Sequence, residues 1–267
     1  METKKKLKYL AILAILQFLA CFFGCQNLNA QEVDSGKVLL ASGESNAGST
    51  RVLTATGKGV FLLKQGKELV SIENRDEIPP IIFPDDLYVE DAIFSTIGLF
   101  IKCRDKIYLC KDSIIPFFSF DSSNFTLASA NDDNLYVIVN TDNNGRLYYL
   151  NCFSREVHSL ASFPEKIVNA FGTKDEAFVV TDHSIYLLSD NKAKKILSFF
   201  CEIVTASFTE SGLFFATNYN LLLFIEEDTV GVIQEQGCKQ LVTDKGLLYV
   251  YNDDGSLICY EAKIVKS

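Results

Sequence analysis

The chain has 267 residues and a formal net charge of −9. That acidity excludes a nucleic-acid-binding surface or one that adheres to anionic lipid, because both need clustered cations. Length alone is compatible with one domain or two, so periodicity has to decide between them.

The first element is an export signal: Lys4, Lys5, Lys6 and Lys8 form a basic start, and Tyr9 to Gly24 is an apolar run broken only by Gln17. Three fates are open to it. Ordinary cleavage falls after Ala30 in "LNAQE", lipid modification falls on Cys25 in "FFGC" (with Cys21 in "FLAC" a poorer match), and the third fate is an uncleaved anchor. Each places residues 31–267 outside the cytoplasm, in the periplasm, the outer membrane or the cell surface of a bacterium, with the membrane contacted only through the anchor. Loss of residues 1–30 removes four Lys and one Glu and brings the net charge to −12.

After the signal, one pattern returns along the chain: an apolar strand, a short polar turn, a second apolar strand. It reads "STRVLTATGKGVFLLKQ", "GLFIKCRDKIYLC", "NLYVIVNTDNNGRLYYLNC", "EAFVVTDHSIYLLSD", "GLFFATNYNLLLFIEE" and "GLLYVYNDDGSLICYE". The second strands begin near Val60, Ile107, Leu147, Ile185, Leu222 and Leu257, giving steps of 47, 40, 38, 37 and 35 residues. Turn positions carry residues that tolerate positive φ or bond back to the backbone, such as Asp105, Asn144, Asp182, Asn218 and Gly255. A strand of small and β-branched residues precedes each later hairpin ("TLASA", "VNAFG", "IVTASF", "QLVT"), and another strand follows ("IIPFFSF", "EVHSLASF", "KKILSF", "VGVIQ"). Four strands at a step near forty residues are the arithmetic of a propeller blade. The expectation is an all-β chain with a single propeller of six four-stranded blades over residues 31–267.

Within that scheme Ala128, Ala130, Ala170, Gly172, Ala206 and Ser207 suit the crowded inner strands, and the 32 Phe and Tyr residues suit the wedges between blades. Val38 to Ala41 reads as the first inner strand, and the tail "KIVKS" as the last outer one. The alternative is that the N-terminal segment closes the last blade as a latch, which slides the blade boundaries by one strand. The stretch Glu73 to Asp86 contains three prolines, which resist ladder pairing, and reads as an outside loop that lengthens the first step.

The repeats "EAFVVTDHSIYLL" and "GLFFATNYNLLLF" resemble the blades of two-component-regulator-type propellers and, more distantly, of quinoprotein-like and WD40-like ones. The resemblance runs over about residues 37–262 as a pattern of strands and turns. The chain departs from it by having no Trp, no WD dipeptide and no quinone-contacting motif. It implies a fold, and no cofactor or activity transfers with it.

Chemistry is sparse. The acid clusters at Asn131 to Asn134, Thr141 to Gly145, Glu226 to Asp228 and Asn252 to Gly255 lack the alternating ligands and distant Glu of a calcium loop and fall at repeated turns, so no metal is expected. Polar residues of the inner strands, Asp91, Asn169, Thr205 and Thr243, are the candidates for binding in the central channel. Glu90 and Asp91 are adjacent and so point to opposite faces of a strand, and no pair of catalytic carboxylates is identified. His158 and His183 fall on different blades, one in an outer strand and one in a turn.

Six cysteines follow Ala30. Their spacing matches no metal site, and two readings stand: buried thiols, or bridges, of which Cys201 to Cys238 on neighbouring blades is the best placed. "DSI" and "DTV" mark Ser113 and Thr229 as O-glycosylation candidates, while "NFT" at Asn124 is an N-glycan sequon that bacterial export ignores. The functional expectation is a binding scaffold rather than an enzyme, holding another envelope protein or a glycan on its loop-bearing face. A glycan-acting enzyme and an extracellular sensor domain are the alternatives.

Overall fold

In the computed structural model the described residues are 35–38, 53–56, 59–72, 78–130, 134–172, 176–190, 192–209, 212–219, 221–226, 229–234, 237–244 and 247–261. Residues 1–30, with Cys25, and the tail "KIVKS" lie outside them, as do "NDD" at 131–133 and most of "EED" at 226–228.

Among the described residues twenty-four strands form six four-stranded antiparallel sheets. The first strand, β1 (Ser35–Val38), stands apart from its sequence neighbours. The first blade is β2 (Leu53–Thr56), β3 (Gly59–Lys64), β4 (Glu68–Ser71) and β5 (Ile81–Ile82), and the second is β6 (Asp91–Ser95), β7 (Gly98–Cys103), β8 (Lys106–Cys110) and β9 (Ile114–Ser119). The third is β10 (Thr126–Ala130), β11 (Asn134–Asn140), β12 (Gly145–Asn151) and β13 (Val157–Phe163), and the fourth is β14 (Ile167–Gly172), β15 (Glu176–Thr181), β16 (Ser184–Ser189) and β17 (Lys192–Ser198). The fifth is β18 (Ile203–Thr209), β19 (Gly212–Thr217), β20 (Leu221–Glu226) and β21 (Thr229–Gln234). The sixth takes β22 (Cys238–Asp244), β23 (Leu247–Asn252) and β24 (Leu257–Glu261) from the C-terminus and β1 as its outer strand.

That last pairing settles the closure. Ser35 to Val38 run antiparallel to Tyr260 through Leu257, so the N-terminal segment is the latch and Val38 does not belong to an inner strand. The whole first blade therefore moves by one strand. "LTAT" and "GVFLL" are in its first and second strands, and its true third strand, β4, carries Leu69, 38 residues before Ile107. The apparent long first step was a phase error. The proline-rich stretch is also more than a loop, since Ile81 and Ile82, bracketed by Pro80 and Pro84, pair with Leu69 and Glu68 as β5. An outer strand leaves one side of its backbone without a ladder, which is why flanking prolines are tolerated there.

The core is divided rather than central. Six clusters of buried side chains occupy the six wedges between successive blades. Phe61, Leu69, Val89 and Ile101 fill the first, Phe100, Ile107, Leu127 and Val137 the second, and Tyr136, Leu147, Val179 and Tyr186 the third. Val180, Ile203 and Phe215 fill the fourth, Phe214, Leu241 and Val250 the fifth, and Leu53, Val60, Val242 and Tyr249 join the sixth blade to the first. The inner strands touch in a continuous ring, β2, β6, β10, β14, β18, β22 and back to β2. Every sheet is thus covered on both faces by its neighbours, and the alternating apolar strands need no other layer.

Candidate functional site

Antiparallel order puts the turn between a blade's second and third strands at the same end as the link to the next blade. One face of the wheel therefore collects these links and turns, and the inner strands start from it. It is called the link face below.

The polar residues of the inner strands come first. A β-bulge precedes Asn169, Thr205 and Gln240 on β14, β18 and β22, and a bulge re-aims the side chain that follows it. Each of these side chains reaches the backbone of the next blade. Asn169 Nδ2 donates to Ala206 O at 2.9 Å, Thr205 Oγ1 accepts from Leu241 N at 3.2 Å, and Gln240 accepts from Leu53 N at 2.9 Å while donating to Leu53 O at 2.7 Å. Asp91, fully buried, does the same from β6: Oδ2 accepts from Leu127 N at 2.8 Å and Oδ1 from Ala92 N at 2.9 Å. The place equivalent to these in the sixth blade is Gln240. Thr243 stands three residues further along β22, where its hydroxyl is 3.0 Å from Ser207 Oγ and donates to Phe208 O at 3.1 Å. The four channel candidates thus lie on inner strands as expected, but their polar atoms are engaged in fastening blade to blade. Asn140 adds a stitch from a second strand, donating to Ile167 O at 2.8 Å and accepting from Ile167 N at 2.9 Å.

Two charge networks sit toward the link face. Lys102, 4 % exposed, pairs with Glu90 at 2.7 Å and lies 4.9 Å over the Phe125 ring of the next blade, so the buried cation is matched on both sides. Glu165, in the link between the third and fourth blades, accepts from Thr181 Oγ1, from Ser184 Oγ at 3.0 Å and from Lys195 Nζ at 2.9 Å. Burial pushes its carboxyl up, but the hydrogen bonds from Thr181, Lys195 and Ser184 outweigh that and hold it below the ordinary glutamate range. Both networks are internally satisfied and tie links to turns.

His158 lies on outer strand β13 and His183 in the β15–β16 turn, each beside a carboxylate of its own, Glu156 at 3.8 Å and Asp182 at 3.2 Å. Among the described residues no group of three His, Cys, Asp or Glu is placed to hold a metal ion. Cys103 and Cys110 are free thiols in this structure, while Cys201 lies in the link before β18 and Cys238 begins β22 on the neighbouring blade. Burial first, with the Glu90 charge second, pushes Cys103 up to about 11, and burial first, with Cys103 second, pushes Cys110 up to about 12. Ser113 is exposed in the turn before β9, and Thr229 begins β21, the matching outer strand three blades on. An open cleft of about 280 Å³ lies between the β3–β4 turn and β5, but its central cation, Lys67, donates to Asp85 O and Leu87 O.

Among the described residues the link face also exposes large aromatic side chains. Phe200 is 85 % exposed and Tyr219 70 % exposed, in the adjoining link and turn of the fifth blade, and Tyr88 is exposed in the link between the first and second. Neither Phe200 nor Tyr219 follows from reading strand patterns. The available signal was the doublet Phe199–Phe200 in a link, where one ring turned inward leaves the other outside.

No family model and no curated protein matches the chain. Solved structures do. A chain of a nidogen/laminin complex aligns with a TM-score of 0.56 at 12 % identity over 79 % of this chain and 85 % of that one. BBS1N in complex with ARL6DN gives 0.53 at 12 % over 82 % and 80 %. The extracellular domain of a putative one-component system from B. thetaiotaomicron gives 0.52 at 13 % over 78 % of this chain and 32 % of that one. At such identities the likeness is of fold, and the fold is the β-propeller.

Proposed function

We propose that this protein is an exported β-propeller that serves as a protein-binding scaffold of the bacterial envelope, released by cleavage after Ala30 or held by a lipid on Cys25. The observation that carries the reading is the division of labour in the site. Asp91, Asn169, Thr205 and Gln240 of the inner strands are spent on joining blades, whereas large aromatic side chains stand exposed on rigid loops of one face. Catalysis needs polar groups left available to a substrate, while protein recognition needs exposed aromatic anchors on a stiff frame. The basic, then apolar N-terminus supports export. Two of the matched propellers were solved in complexes with other proteins, which fits a partner-holding role.

The test is crosslinking of the tagged protein in its native envelope, with mass spectrometry of what is recovered. A reproducible protein partner is expected, with crosslinks from the link face. Recovery of the protein alone, with glycan fragments turned over by the purified chain, would replace the scaffold by an enzyme.

A further inference from the structure

We propose that the link face of the fourth to sixth blades seats a cationic, apolar-tipped segment of a partner protein, with Phe200 and Tyr219 as its anchors and the carboxylates of Glu202, Asp253 and Asp254 as its charge partners. This rests on the scaffold reading and adds the chemistry of the partner to it.

The aromatic pair is held in place. Phe199 N donates to His183 O at 2.7 Å, Ile203 N to Asp182 O at 2.7 Å, and Asn218 N to Glu202 O at 2.8 Å, so the link carrying Phe200 is bonded to the turns on both its sides. Phe199 already fills the wedge, its ring 5.1 Å from that of Phe215, and Phe200 has no inward place to retreat to. Tyr219 follows Asn218 directly, and Val204, 40 % exposed, carries the apolar surface toward the channel. A ring fixed in water by a rigid link is a preorganised anchor, because little side-chain freedom is lost when a partner covers it.

The charge around the pair has one sign. Asp182 and Glu202 lie on the fourth-blade side, and Asp253 and Asp254 are exposed on the sixth, in a turn set by the bond from Asp253 N to Gly237 O at 2.7 Å. Against these carboxylates, of which Asp182 has His183 beside it at 3.2 Å, the lysines toward the link face are Lys166 and Lys239, since Lys195 is paired with Glu165 and Lys192 and Lys194 lie on the outer strand β17. Lys239 itself lies 6.0 Å over the Tyr251 ring. The field over the aromatic pair is negative, and so is that of the whole chain. A second copy would therefore meet like charge, whereas a segment with Lys or Arg flanking one or two apolar side chains meets both the rings and the carboxylates.

The test uses the full exported protein with a photo-crosslinking phenylalanine analogue placed at Tyr219 or, as a control, at Phe153, 69 % exposed on the opposite face. A short peptide alternating Lys and Leu around one Trp is the binding probe, and the same peptide with Glu for Lys is its control. The expected result is a crosslink from position 219 to a partner segment with Lys or Arg beside apolar residues, together with binding of the Lys probe that weakens about tenfold in Phe200→Ala/Tyr219→Ala. Melting of that variant should match wild type, because both side chains are exposed. A crosslinked segment without cations, capture from position 153 alone, or Lys-probe binding indifferent to the double substitution would overturn this inference and leave the scaffold standing. No protein captured from either position would overturn both.

Discussion

Beside the latch and the apolar wedge, one side chain clamps the sixth blade to the first. Gln240 accepts from Leu53 N and donates to Leu53 O, joining residues 187 apart, and Leu53 is fully buried. Gln240→Ala deletes both bonds and leaves two backbone groups of a buried residue without partners. An orphaned buried group costs about 1–3 kcal/mol, and partial access of water to the half-buried clamp trims the sum, so a loss of about 2–4 kcal/mol follows. For a domain of this size that is a fall in melting temperature of about 5–15 °C. The assay is thermal unfolding by circular dichroism, with Asn143→Ala in an exposed turn as control, and hydrogen exchange of the Leu53 amide, which should quicken selectively. If Gln240→Ala melts with the control and the Leu53 amide stays protected, the clamp does not hold the ring and the stitching argument fails.

Asp91→Asn keeps the shape but sets an amide N–H₂ against either Leu127 N–H or Ala92 N–H, and should cost about 1–3 kcal/mol in a denaturant titration; an unchanged midpoint would refute it. A Cβ at Gly145 would stand 2.4 Å from Ile167 Cγ1, so Gly145→Ala should destabilise by about 1–3 kcal/mol through overpacking of the third wedge, read by the same titration. Glu165 is held below the ordinary glutamate range in the fold, so its ionised form contributes stability that is complete above that range and lost as pH falls through the lowered value. The stability gap between wild type and Glu165→Gln should accordingly be full at neutral pH and close on acidification; a gap independent of pH would contradict the network. Cys103 and Cys110, raised to about 11 and about 12, stay protonated in mildly alkaline buffer and should alkylate far more slowly in the native protein than after unfolding, as counted by mass spectrometry.

The repeat was legible because its determinants are local. Alternating apolar residues, turn formers at Asp105, Asn144 and Gly255, and small inner strands such as "TLASA" specify a blade within about forty residues of chain, and five blades were read in correct phase. The first was not. "VLTAT" followed by "GVFLL" reads as well for a first and second strand as for a second and third, since every antiparallel pair alternates in the same way.

Sequence alone therefore determined the fold class, the number of blades and the acidity of the surface, all sums of short-range pattern and composition. Tertiary structure decided what depends on partners far along the chain. It assigned Ser35 to Val38 to the last blade, made an outer strand of two isoleucines between prolines, and turned Asp91, Asn169 and Thr205 toward the next backbone. It also decided which ring of Phe199–Phe200 is inside, because the wedge between two sheets has room for only one.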